Sequence, residues 1–210
     1  MRPAATFHGC LVRLAMLLSP LCFPTGVAAQ AAAAQWEAGA GAGLAVFSSI
    51  ARRQEGAGST SLLPYRATVT GVALSWRHRA WEIHSGLETL DAALAVQDAA
   101  VAVLAREASV SRLRWRLLAG RRVAQVGDVS LRASAGPALD LWSPSGAAAR
   151  ARAAAVARIG LRVEAGSVSL ENSVTVSVSE SPLAAGELPD GYRGTVLRAI
   201  EMGLGAWLRF

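Results

Sequence analysis

Thr195 to Phe210, TVLRAIEMGLGAWLRF, decides how the rest of the chain is read. Counting back from the end, Phe210, Leu208, Ala206, Leu204, Met202, Ile200 and Val196 occupy alternate positions, and only Arg198 interrupts that apolar row. The intervening row carries Arg209, Trp207, Gly205, Gly203, Glu201, Ala199 and Leu197. A period of two puts the rows on opposite faces of a β-strand. The stretch is long for a globular strand, where about five or six residues is usual, and it runs to the final residue without turn chemistry.

The same alternation recurs upstream. Trp36 to Phe47 sets Trp36, Ala38, Ala40, Ala42, Leu44 and Val46 against Glu37 and three glycines. Residues 48–66 carry charge, Gly, Ser and Pro and read as a long loop. Ala67 to Arg77 alternates again, and His78-Arg79 is a tight turn into Trp81 to Leu90, where Trp81, Ile83 and Leu87 oppose Glu82, His84, Gly86 and Glu88. Residues 91–109 are alanine-rich, which favours a short helix, although the same letters could extend a hairpin; they are read as loop. Val110 to Ala119 sets Leu113, Trp115 and Leu117 against Arg112, Arg114 and Arg116. A turn over 120–128, a strand from Val129 to Trp142, a loop over 143–153, a strand from Val156 to Glu164 and a turn at 165–167 follow. Val168 to Ser179 and a loop over 180–193 then lead to the terminal strand.

Eight strands of about 10 residues match a tilted strand crossing a bilayer. The fold class expected is therefore all-β, an eight-stranded antiparallel up-and-down transmembrane barrel. Connections alternate long and short, which puts the short turns and both termini at one end. Aromatics sort the same way: Trp36, Trp76, Trp81 and Phe210 at the short-turn end, Phe47, Tyr65, Trp142 and Tyr192 at the other. Two such bands read as membrane-interface girdles. Trp115 falls in neither, and Trp207 points inward near the base.

The N-terminus reads as an export signal. Arg2 and Arg13 flank the n-region, Leu14 to Phe23 is a short apolar core broken by Pro20, and Val27-Ala28-Ala29 supplies small residues for cleavage after Ala29. The domains expected are thus a signal peptide over 1–29 and a barrel over 30–210. Cleavage removes Cys10 and Cys22, so neither disulfide nor thiol chemistry is expected of the mature chain. It also removes two of 21 basic residues, leaving 19 against 15 acids and a net charge near +4. The chain has no Lys, and its arginines are spread singly, which is not a nucleic-acid footprint.

The faces opposite the apolar rows hold Glu37, Glu82, Glu88, Asp140, Glu164, Glu171 and Glu201, together with Arg77, Arg112, Arg114, Arg116, Arg132, Arg158, Arg162 and Arg209. Eight strands enclose a space that side chains just fill, and buried charges are tolerated only when paired. A salt-bridged plug follows, with Glu82 and Glu88 facing Arg112, Arg114 and Arg116 across a hairpin and His84 among them. A narrow ion path lined by these groups is the alternative. Gly39, Gly41 and Gly43 alternate within a strand, so they make room for bulky arginines opposite and are not a phosphate loop, which needs a strand-to-helix turn. With no cysteine and no pair of histidines on one face, no metal site or cofactor is expected.

A terminal strand ending in an aromatic residue resembles the C-terminal assembly signal of bacterial outer-membrane β-barrels. Over Gln30 to Phe210 the chain resembles their small eight-stranded members. That resemblance implies the outer membrane of a Gram-negative bacterium, contact with its bilayer and lipopolysaccharide, and recognition of the terminal strand by the barrel-assembly machinery. It implies a structural, adhesive or envelope-stabilising role through four outward loops. Some such barrels are lipid-modifying enzymes, and lipid A deacylases are similar in size. Their hydrolase chemistry needs a nucleophile within reach of its base, yet Ser85 follows His84 directly, and adjacent strand residues face opposite sides. A soluble lipocalin-like barrel, with the apolar rows turned inward, is the third reading.

Overall fold

The computed structural model describes residues 34–55, 58–98 and 102–210. The export signal over 1–29 and the tip of the 91–109 segment lie outside them. Ten strands form one antiparallel sheet: β1 (Gln35–Phe47), β2 (Ala51–Glu55), β3 (Gly58–His78), β4 (Trp81–Gln97), β5 (Ala102–Val126), β6 (Val129–Pro144), β7 (Arg150–Ala165), β8 (Val168–Ser179), β9 (Arg193–Gly194) and β10 (Leu197–Arg209). Eight of them close a ring. β1 pairs with β10 on one side and β3 on the other, and β3 to β8 follow in chain order around to β10. The two extra strands, β2 and β9, pair with each other, and β2 with β3, at one end.

Three two-residue turns mark the opposite end: Arg79-Ala80, Gly127-Asp128 and Gly166-Ser167. Each opens with a residue at positive φ (57°, 57° and 64°), which matches the twist of the strands it joins. Arg79 is the exception to the glycine habit at this position. The long connections all lie at the other end, so the asymmetry read from the sequence is present.

Those long connections differ from the loops expected. β3 already begins at Gly58, β4 continues to Gln97, β5 starts at Ala102 and runs on to Val126, and β7 begins at Arg150. The segments 48–66, 91–109 and 143–153 therefore carry hairpin extensions of the wall, and 120–128 is mostly strand. Bulges account for the difference in β3 and β5, whereas β7 pairs without a register shift. Register shifts occur between Tyr65 and Thr68, between Ala93 and Leu94, and between Arg122 and Ala124. A bulge advances the alternation by a residue and throws the pattern out of phase, so period-two reading stops where the strand does not. Over 180–192 the only regular structure is a 3-10 turn at Ala185–Glu187, and Arg193 opens β9.

Inside and outside follow the expected parity. Leu44, Val72, Leu74, Leu87, Trp115, Leu161, Leu170, Met202 and Leu204 stand exposed on the outer wall. Glu37, Glu82, Glu88, Arg112, Arg114, Arg116, Arg132, Asp140, Arg162, Glu171 and Glu201 are buried within it. An apolar exterior around a charged interior reverses the order of a soluble barrel, and an exposed belt of this extent has no place in water. The lipocalin-like reading fails here. No helix among the described residues is long and apolar enough to cross a membrane, and the crossing elements are strands.

Candidate functional site: the lumen and its outward cap

Strand parity sends fifteen charged side chains into the lumen, and every one of them has an opposite charge within reach. Toward the short-turn end nine residues form one continuous network. Glu37 meets Arg77, Arg162 at 2.5 Å and Arg209 at 3.5 Å. Glu164 takes Arg77, Arg132 and Arg209 at 3.0, 3.1 and 2.7 Å. Arg132 reaches Glu82 at 2.8 Å, and Glu171 holds Arg158 and Arg162, both at 2.6 Å. Higher up, Arg114 grips Asp140 bidentately, with Nε at 2.6 Å from Oδ1 and Nη2 at 2.9 Å from Oδ2. Arg114 also shares Oε1 of Glu201 with Arg112, at 3.0 and 2.9 Å. Glu88 pairs with Arg116 at 2.6 Å.

These partners differ from the ladder expected across one hairpin. Of the three β5 arginines expected in that ladder, only Arg116 takes an acid from β4; Arg112 and Arg114 reach over the lumen to Glu201 on β10, and Glu82 goes to Arg132 on β6. Strand neighbours place Cα atoms, but long side chains in a closed ring choose among several walls. The glycines of β1 also serve a different neighbour from the one expected. A Cβ on Gly39 would sit 2.6 Å from the Trp207 ring, so the glycine admits an indole. The Arg162 guanidinium covers that ring at 4.5 Å from its centroid, and His84 meets it edge-on at 5.2 Å. Beside the glycine stripe lies a cavity of about 70 Å³, whose other walls include Glu88, Arg116, Arg158 and Glu201. It has room for a few waters. Glu88 Oε2, Arg116 Nε and Arg158 Nε are buried without protein partners.

Above the charges the interior becomes apolar. Phe47, Ile50, Ala51, Leu62, Val69, Leu90, Leu94, Val110, Trp142 and Leu197 form one buried cluster, with Leu183, Leu188 and Tyr192 packed against it. Phe47 and Trp142 meet edge-to-face with centroids 6.4 Å apart, and Arg112 sits 5.9 and 5.5 Å from their rings. Here the reading of a second girdle is corrected. Phe47 is 6% exposed and Trp142 0%, against 46%, 61% and 71% for Trp36, Trp81 and Phe210. Parity is the reason: Phe47 shares its row with Glu37, and Trp142 shares its row with Asp140, so both point inward whatever their height. Tyr65 and Tyr192 are half-buried, and so is Trp76, which stacks on His78. The missed feature, an inward cap, was legible in the same alternation.

His84 and Ser85 are separated by the wall. Arg116 Nη2 lies 3.3 Å from His84 Nε2 inside. Ser85 Oγ accepts the Trp115 Nε1 hydrogen at 3.1 Å on the outer face. That bond accounts for the one lipid-facing tryptophan outside a girdle, since an unpaired donor in hydrocarbon costs several kcal/mol. No group of three or more His, Cys, Asp or Glu arranged to hold a metal occurs among the described residues.

No protein-family model matches the chain, and no curated protein matches it in sequence. Solved structures do. The chain is similar to Neisserial surface protein A (NspA), at 13% identity over 85% of this chain and 100% of that one, with a TM-score of 0.59. It is also similar to the outer-membrane protein OprG from Pseudomonas aeruginosa, at 10% identity over 85% and 96%, TM-score 0.53. A third is the outer-membrane protein AlkL, solved in DMPC bilayers, at 12% identity over 90% and 97%, TM-score 0.51. The likeness is one of fold: the described chain has the architecture of the small bacterial outer-membrane β-barrels.

Proposed function

We propose that this chain is an integral protein of the Gram-negative outer membrane with a closed, non-conducting lumen. It acts without catalysis, as a structural, adhesive or envelope-stabilising element, through the hairpins that rise from its outward end. One observation carries the reading: a fully paired charge network lies beneath an apolar cap. Buried ions in a wall of this width hold one another in place, and a dewetted apolar layer is itself a barrier to ions. The division of His84 and Ser85 between the two sides of the wall speaks against a hydrolase built on that pair. The fold, the apolar belt and the aromatics Trp36, Trp81 and Phe210 at the short-turn end agree with a periplasmic base and an outward crown. Lipopolysaccharide is the natural contact of that crown, and the terminal strand the natural handle for the barrel-assembly machinery.

The test is reconstitution. The refolded barrel should show heat-modifiable gel mobility, insert into vesicles, and pass no steady current in a planar bilayer. A stable, ion-selective single-channel current from the wild-type protein would refute the closed lumen. Deletion of Phe210 should lower the amount of folded barrel in the outer membrane and leave export unchanged; an unaltered yield would refute its role in assembly.

A further inference from the structure

Arg198 is the residue that breaks the outward row of the terminal strand, and the luminal network does not use it. Its backbone is tied to Ser48: Ser48 N donates to the Arg198 carbonyl at 2.8 Å, and Arg198 N donates to Ser48 Oγ at 2.9 Å. Above them, Thr195 N donates to the Ile50 carbonyl at 3.0 Å, and Arg52 stands opposite Arg193 in the β2–β9 pairing. Residues 48–52 and 193–198 thus run side by side as one ribbon on the outer wall. Arg198 lies at its lower end and the facing pair at its upper end, roughly 13 Å further on at strand rise.

All three side chains are exposed. Among the described residues none of them has an ion pair. Of the three acids of the adjoining connection, Glu180 and Glu187 are held by Arg152 at 3.8 Å and Arg150 at 2.5 Å, and Asp190 forms no ion pair with the strip. Like charges directly opposite each other across two strands repel, so the ribbon is a cation surface without its counter-charge. Its height identifies that charge. Ile200, two residues below Arg198, is an exposed apolar position of the lipid belt, and Arg198 is the one charged residue on the outer row of β10, with the exposed Val196 beyond it.

We propose that Arg198, Arg193 and Arg52 form a phosphate-binding strip for the phosphorylated head group of a lipid in the outward leaflet. The inference rests on the membrane reading above. Guanidinium forks match phosphate oxygens in geometry as well as charge, and a head group standing on the belt would reach Arg198 first.

The experiment uses the full mature chain refolded in zwitterionic detergent, with heat-modifiable mobility as proof of folding. Wild type and the Arg52→Gln, Arg193→Gln, Arg198→Gln triple variant are titrated calorimetrically with short-chain phosphatidic acid, with the phosphocholine lipid of the same chains, and with inorganic phosphate. Phosphatidic acid should bind wild type about tenfold or more tightly than the phosphocholine lipid, and the triple variant should lose that preference. Arg79→Gln, at the short-turn end, should keep it. Equal binding of the two lipids by wild type, or a preference that survives in the triple variant, overturns the strip. Inorganic phosphate binding as tightly as phosphatidic acid overturns the lipid assignment. Should the triple variant fail to fold, Arg198→Gln must weaken phosphatidic acid binding and Arg198→Lys must retain part of it, or the proposal falls. Wild type without heat-modifiable mobility would instead refute the membrane reading, a failure distinct from that of the strip.

Discussion

The wall of this barrel has two storeys with opposite polarity. At belt level the outside is apolar, with Leu74, Leu87, Trp115, Leu161 and Leu170 exposed, and the inside is ionic. Beyond it the outside carries Thr68, Thr70, Thr89, Asp91 and Ser143, and the inside is Val69, Leu90, Ala92, Val110 and Trp142. The switch is abrupt. On β4 the pair Leu87 outside and Glu88 inside gives way to Thr89 outside and Leu90 inside. On β6, Asp140 and Trp142 are successive inward residues. On β10, Glu201 is followed inward by Ala199, while Arg198 appears outside. Backbone geometry is the same in both storeys, so the solvent outside decides what can go inside. In lipid, apolar side chains gain nothing from turning inward, and the lumen is free to be polar. In water the hydrophobic effect claims the interior, and the strands revert to the plan of a soluble barrel.

Breaking the upper storey should have the largest effect. Trp142→Ala removes the biggest fully buried side chain of the cap and should cost about 3–5 kcal/mol, read as a fall in the denaturant midpoint of the vesicle-inserted barrel. It should still open no steady current, because the charge layer beneath remains. A current from this variant would mean that the cap alone closes the lumen. In the lower storey Glu37 holds three arginines, and Glu37→Ala should likewise cost about 3–5 kcal/mol by leaving buried cations unpaired. An unchanged midpoint would show that water reaches those groups freely.

The boundary between storeys can be located from outside. Arginine at Val174 or Leu170 in the belt should cost about 2–4 kcal/mol, whereas arginine at Ser143 or Thr89 should leave the midpoint nearly unmoved. Equal costs at the two heights would erase the distinction. Glu88→Ala should fall below Glu37→Ala, at about 1–3 kcal/mol, because its single partner Arg116 borders the cavity and can take water there; a cost matching that of Glu37→Ala would deny the cavity that role. Trp142→Phe should change least, within about 1 kcal/mol. The buried indole nitrogen has no partner, and deleting an unsatisfied donor offsets the smaller ring. A loss as large as that of Trp142→Ala would show that the nitrogen is bonded after all.

By itself the sequence determined the parity of each strand, and with it which residues face lipid and which face the lumen, because side-chain direction alternates along a strand whatever its neighbours are. The terminal run Thr195 to Phe210, the short connections at one end and the even count of eight were legible for that reason. The same parity contains the inward cap, since the rows of Phe47 and Trp142 send both side chains inward whatever their height. Tertiary structure decided what parity cannot reach. Bulges near Thr68 in β3, and in β5 opposite Leu94 and near Ala124, hide the continuation of β3 and β5, since a shift of phase looks like the end of a strand. The ion pairs Glu37 with Arg162 and Glu201 with Arg112 join residues 125 and 89 positions apart. Such partners are set by the tilt and closure of the ring, a property of all eight strands together and of no single stretch of the chain.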